Sequence, residues 1–191
     1  MPDLSLDDFE PLFSSEEIAR RVAELGREIT RDLGGSPDLV VVGVLKGALV
    51  FMADLIRHLP AGASCDFLRL SSYAGTHSTG KVRFDFDLTQ PIEGKDVLIV
   101  EDIVDTGLSM SFLLPTLRNR NPASLRLCTL LHKPSRQQRE VPISYLGFTI
   151  PDRFVIGYGL DLEGRYRSLP DIRALKPEVL DALTASEDAV H

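Results

Sequence analysis

The chain predicts an α/β fold, a doubly wound and mainly parallel sheet flanked by helices. Three observations carry this reading. Four short apolar runs, at 39–45, 65–70, 97–100 and 124–131, have strand length rather than helix length. Runs with little polar interruption belong to strands covered on both faces. Segments of helical spacing lie between them, and strands alternating with helices assemble into parallel sheets through right-handed crossovers. The 191 residues fit one domain with a substantial core, and no repeat, linker or low-complexity tract divides them.

The elements follow in order. Ser14 and Glu17 fit a capping box, each side chain serving the other's backbone amide. Ile18, Val22, Leu25, Ile29 and Leu33 then form one apolar helical stripe, ended by Gly34 and Gly35. The strand at 39–45 runs into Lys46, Gly47 and Ala48, and 49–59 reads as a helix. A lysine and a glycine at the end of a buried strand suit a plain turn or an anion grip, and the residues alone favour the turn. Residues 65–70 form the third strand. The stretch 71–81 is small, polar and glycine-bearing, and reads as a loop between ordered strands. Strict alternation over 82–88 predicts a half-exposed antiparallel strand. The strand at 124–131 ends in His132, Lys133 and Pro134, and 136–140 is a polar loop. His132 has no carboxylate or nucleophile set beside it by the sequence and reads as structural. The end of the chain, 180–191, reads as a short helix fraying into a loose terminus. Cys65 and Cys128 sit in apolar runs and read as buried free thiols.

The stretch 96–110 is the centre of the chain. Val97, Leu98, Ile99 and Val100 form an apolar run that is β-branched in three of four places. Glu101 and Asp102 follow at the carboxyl end of this strand, where open α/β sheets bind their ligands. Asp105, Thr106, Gly107, Leu108 and Ser109 then make a turn rich in hydroxyls, and 110–117 resumes at helical spacing. Consecutive amides at a helix start form an anion nest, reinforced by the helix dipole. The alternative for this turn alone is a simple cap, with Asp105 or Ser109 closing the helix.

Taken whole, 96–110 closely resembles the phosphoribosyl-pyrophosphate (PRPP) signature of type I phosphoribosyltransferases, in the version carried by the hypoxanthine–guanine branch. The resemblance spans roughly 41–179, in five separated motifs that fall in family order. It implies the type I phosphoribosyltransferase fold, one domain over 1–191. A core of roughly 36–140 would be covered by a small hood built from 1–35 and 141–191. It implies transfer of the phosphoribosyl group from PRPP to hypoxanthine or guanine, with Mg²⁺ as cofactor and a homodimer or homotetramer as assembly. Glu101, Asp102, Asp105, Thr106, Gly107, Leu108 and Ser109 would hold the ribose and its phosphate, with Asp105 as the catalytic base. Leu45, Lys46, Gly47 and Arg167 would bind pyrophosphate, through a loop with a non-proline cis peptide between the leucine and the lysine. Lys133, Phe154, Val155 and Asp161 would form the purine site. Ser72 and Tyr73 would belong to a catalytic lid, and Glu101, Asp102 and Asp161 would lie at the metal. Leu108 departs from members that carry lysine there, so the phosphate grip leans on backbone amides, Thr106 and Ser109.

Composition excludes some alternatives. Hydrophobic content of 43% and charged content of 26% are those of a soluble globular protein. The net charge of −7 and pI near 5.1 argue against a nucleic-acid partner, which calls for a basic face. A ligand-sensing regulator of the same fold would need that face and a disabled aspartate, whereas Asp105 is intact. The acid-rich amino terminus is no signal peptide and no apolar run reaches membrane length. A cytoplasmic protein without a membrane partner is expected.

Overall fold

Pairing with the strand at 124–132 carries the central strand four residues past its apolar run, and this places the acids within the sheet. We describe the protein from a computed structural model, over residues 4–33, 35–36, 38–72 and 82–180. The elements are β1 (Phe9–Phe13), α1 (Ser15–Leu33), β2 (Leu39–Leu45), α2 (Leu49–Leu55), β3 (Ser64–Ser72) and β4 (Val82–Phe86). They continue with β5 (Asp96–Val104), α3 (Leu108–Arg118), β6 (Ser124–His132), β7 (Tyr145–Thr149), β8 (Val155–Ile156) and β9 (Ile172–Leu175).

Among the described residues, one sheet has the order β4-β3-β2-β5-β6-β7 and a second the order β1-β9-β8. In the first, β3, β2, β5, β6 and β7 run parallel and β4 returns antiparallel on β3. Alternation along the inner strands sorts the core into two layers. Val97 and Ile99 pack with Met110, Leu113, Leu114 and Leu117 of α3. Leu98 and Val100 face the other way, onto Val22, Leu25 and Ile29 of α1 and Phe51 and Met52 of α2. Each such aliphatic side chain, fully buried, contributes roughly 1.5–3 kcal/mol. The doubly wound reading holds. The second, antiparallel sheet is drawn from both chain ends and forms the hood, packed on Leu4, Phe9, Ile156, Leu162 and Leu175.

The capping box forms as expected: Ser14 N donates to Glu17 Oε2 at 2.9 Å and Glu17 N to Ser14 Oγ at 3.2 Å. Other expectations need correction. The helix expected over 49–59 stops at Leu55 and tightens into a 3-10 turn, Ile56–His58, before an extended Leu59. Pro60 explains this, because a proline drives the preceding residue out of helical geometry. The strand expected over 82–88 ends at Phe86, since Asp87 turns away to pair bidentately with Arg120 at 2.7 and 2.8 Å. Cys128 is buried as expected, but Cys65 is exposed.

Strand β7 joins the core sheet beside β6, and α1 packs under it. Residues on both sides of the expected 36–140 division therefore build the core. Arg21 of α1 fixes β7 from outside: its Nη2 and Nε donate to the carbonyls of Leu146 and Gly147 at 2.6 and 3.1 Å. Its Nη1 meets Glu24 and Glu28 at 3.0 and 2.9 Å. Residues 177–180 begin a helical turn, and the rest of the helix expected at 180–191 lies outside the described residues. Among the described residues no helix is long and apolar enough to cross a membrane.

Candidate active site

Strand pleating sends successive side chains to opposite faces, so the adjacent acids of β5 serve two different places. Glu101 follows Val97 and Ile99, and lines a small cavity with Ile103, Asp105, Thr106, Gly107, Ser109 and Met110. Asp102 faces the loop after β2. A Cβ on Gly47 would overlap the Asp102 carboxylate, and one on Gly159 would overlap the Gly47 carbonyl. Strand end, loop and hood thus touch through two glycines. The peptide between Leu45 and Lys46 is cis.

The turn from β5 into α3 needs its glycine. Gly107 has φ +78°, and a Cβ there would overlap the Arg139 carbonyl oxygen. That left-handed geometry favours glycine over any other residue. Gly107 itself occupies the helix N-cap, so neither Asp105 nor Ser109 closes the helix. Leu108 N points back at Thr106 Oγ1 at 3.4 Å, and the Leu108 side chain is exposed.

Burial sets the charges. Desolvation, and then the neighbouring Asp102 charge, holds the Glu101 carboxyl well above the usual carboxylate range. Glu101 Oε2 is buried without a hydrogen-bond partner. Burial also pushes Asp102 up to about 6, although its own amide, the amide of Ile103 and the Arg167 guanidinium all act to lower it. Arg167 crosses from the hood side, donating to the Gly159 carbonyl at 2.6 Å and pairing with Asp161 at 2.5 Å. The other Asp161 oxygen accepts from Gly164 N at 2.6 Å. Both Asp161 oxygens are therefore engaged. Among the described residues no three His, Cys, Asp or Glu side chains converge as a metal centre, so Glu101, Asp102 and Asp161 do not form a preformed cluster.

On the opposite side of the turn, Lys133 is 6% exposed. Burial lowers the pKa of its ammonium, against the pull of Asp105 and Asp152. Among the described residues that ammonium makes no hydrogen bond or close ion pair. The Lys133 amide donates to Val104 O at 3.0 Å, which holds the residue beside Asp105. Phe154 stands 40% exposed at the edge of the hood, and Val155 is buried in β8 opposite Ala174.

The pattern has close counterparts. The phosphoribosyl transferase domain family matches residues 10–163. The chain belongs to the phosphoribosyltransferase family. Among curated relatives of this phosphoribosyltransferase, the hypoxanthine-guanine phosphoribosyltransferase of Dictyostelium discoideum is 51% identical over 88% of this chain and 96% of its own. The enzyme of the same name from Bacillus subtilis is 46% identical over 90% of this chain and 95% of its own. A solved hypoxanthine phosphoribosyltransferase from Staphylococcus aureus superposes with a TM-score of 0.86 at 45% identity, covering 94% and 98% of the two chains.

In this phosphoribosyltransferase the residues singled out from sequence gather into two adjoining places. Glu101, Asp105, Thr106, Gly107 and Ser109 line the turn cavity. Gly47, Asp102, Asp161 and Arg167 meet where the loop touches the hood. Lys133 adjoins Asp105. Of the expected lid, Tyr73 and the Ser72 side chain lie outside the described residues. The sequence reading assigned nothing to Ile103, Arg136 or Asp152. The two charged residues carried no local signal, because they meet Asp105 and Lys133 only in three dimensions.

Proposed function

We infer that this phosphoribosyltransferase joins hypoxanthine or guanine to PRPP, giving the nucleotide and pyrophosphate. The observation that carries the reading is the largely buried Lys133, its ammonium unpaired among the described residues and set beside Asp105. A donor-only cation next to a carboxylate suits a 6-oxopurine, which offers an acceptor oxygen and, across the ring, an N–H to deprotonate. The names of the relatives above point to the same substrates.

In the reaction the bond from the ribose anomeric carbon to pyrophosphate breaks and the bond to the purine nitrogen forms. Asp105 takes the proton of that nitrogen. Negative charge then moves toward the 6-oxygen, where Lys133 stabilises it more in the transition state than before. The amides of 106–109, Thr106 and Ser109 hold the 5-phosphate, while Lys46, Gly47 and Arg167 hold pyrophosphate. Phe154 stacks on the base and Val155 offers backbone groups to its edge. The Ser72–Tyr73 segment acts as the lid.

The donor chemistry fits Mg²⁺. The orphaned Glu101 oxygen and the buried Asp102 carboxyl are hard oxygen ligands, and Mg²⁺ commonly takes one or two carboxylates plus substrate oxygens. Glu101 and Asp102, with Asp161 nearby, would hold it together with the ribose diol. It would supply charge neutralisation of the leaving pyrophosphate. The assembly proposed with this reaction is a homodimer or homotetramer.

The deciding experiment is a product assay with PRPP, Mg²⁺ and each of hypoxanthine, guanine, xanthine, adenine and uracil separately. Nucleotide and pyrophosphate are expected with hypoxanthine and guanine. Equal use of adenine, or no pyrophosphate from any base, would refute the reading.

A further inference from the structure

The loop after β6 carries a charge that the reaction above does not use. Gln138 N and Arg139 N both donate to Thr106 O, at 2.9 and 3.1 Å. Gln137 is fixed in turn, its Oε1 lying 3.2 Å from His132 Nε2 and its amide nitrogen donating to Arg139 O at 3.0 Å. This lacing seats the 3-10 turn Pro134–Arg136 against the phosphate turn. From the end of it Arg136 reaches two carboxylates. Its Nε lies 3.2 Å from Asp105 Oδ1 and its Nη1 3.6 Å from Asp152 Oδ1. Asp105 Oδ1 is buried and accepts no well-aligned hydrogen bond, so the contact is one of charge and proximity.

The next residue along is tethered in the opposite direction. Arg153 Nη1 pairs with Glu10 of β1 at 2.7 Å, and Nη2 donates to the Leu175 carbonyl of β9 at 2.6 Å. Phe154 follows at once. Its backbone is thus strung between the core, through Asp152 and Arg136, and the hood, through Arg153.

We propose that Arg136 is a positioning residue that locks the proton-accepting Asp105 to the loop carrying Phe154. The proposal rests on the transferase reaction above. A guanidinium suits the task because it is planar, presents several donors at fixed angles and keeps its charge at every working pH. The purine must lie flat on Phe154 while its N–H points at Asp105, and a misplacement of about 1 Å can cost roughly 10²-fold in rate. The side chain is 48% exposed, and ion pairs this exposed add little to folding. Its contribution therefore appears in kinetics.

The test is steady-state kinetics with PRPP and hypoxanthine for wild type, Arg136→Met, Arg136→Lys, Asp152→Asn and the double variant Arg136→Met/Asp152→Asn. Arg136→Met should lower kcat roughly 10- to 100-fold and raise the hypoxanthine KM, with the PRPP KM and thermal midpoint unchanged. Arg136→Lys should recover part of kcat, because the charge returns without the fork. The double variant should raise the hypoxanthine KM no further than Arg136→Met alone, since the two share one link. Wild-type constants in Arg136→Met would overturn the proposal. So would a parallel loss of PRPP affinity and thermal midpoint, a lysine variant no better than methionine, or additive effects in the double variant. A wild type inactive with PRPP and hypoxanthine would refute the reaction itself, and that shows in the wild-type arm alone.

Discussion

In the proposed reaction single carboxylates and one ammonium carry the chemistry, and each makes a measurable demand. Asp105→Asn keeps shape but removes the proton acceptor, so kcat should fall on the order of 10²–10⁴-fold, while PRPP binding by calorimetry changes far less. Near-normal turnover would reduce Asp105 to a structural turn residue. Lys133→Met removes the donor that a 6-oxo group needs. A site built around a buried hydrogen bond can reject the wrong partner by ~10⁴ or more, so wild type should discriminate against adenine and the variant should lose most of that ratio together with hypoxanthine turnover. Asp102 makes a pH-dependent demand. Its carboxyl is pushed up to about 6 by burial, above the ordinary 3.8, so the fold binds this proton more tightly than the unfolded chain does. The resulting stabilisation is complete below about 3.8 and is lost as pH rises through about 6. In metal-free, substrate-free protein, Asp102→Asn should raise the thermal midpoint at about pH 7.5, and most of that advantage should vanish near pH 4. An equal offset at both pH values would show that the charge is not the cause.

At the scale of elements, the loop after β2 and the end of β5 work as one unit because Gly47 has no side chain. Gly47→Ala would drive a methyl into the Asp102 carboxylate, so the loop must shift. Overpacking of this kind costs typically 1–3 kcal/mol. The expected outcome is a lower thermal midpoint and at least tenfold weaker PRPP binding, read by calorimetry with a non-reacting base analogue absent. Unchanged PRPP affinity would separate the loop from the pyrophosphate. Much of this unit was legible in sequence, since Leu45, Lys46 and Gly47 end a buried strand and Glu101 and Asp102 follow another. The continuation of β5 to Val104 was not. Polarity at 101 and 102 breaks the apolar run, yet Glu101 still pairs with Thr129 and Val104 with His132 across the ladder. Backbone pairing with a neighbour leaves no mark in the strand's own residues. Arg136 and Asp152 were missed for the same reason: each reads as ordinary loop polarity until the fold brings them to Asp105.

Across the whole molecule, polar ties bind the two chain ends into one hood. Arg153 binds Glu10 and the Leu175 carbonyl, and Tyr166 donates to the Leu4 carbonyl at 3.1 Å. The composition of the chain ends gave no sign that they meet. That inference came from family resemblance alone, because pairing β1 with β9 joins Phe9 to Leu175 across most of the sequence.

The grip of Arg21 on β7 has a consequence for life at high concentration. Strand β7 terminates the core sheet, and a sheet margin with idle carbonyls is a template on which a second chain can add a strand. Arg21 occupies the carbonyls of Leu146 and Gly147 and brings a charge cluster with it. The expectation is that it guards this margin against added strands as well as bracing it. Arg21→Ala should leave hypoxanthine kinetics within about twofold, as expected for a site remote from the reacting atoms. It should nevertheless scatter light and lose soluble protein on warming at concentrations where wild type stays clear. Equal colloidal behaviour of the two would assign the guanidinium to bracing alone.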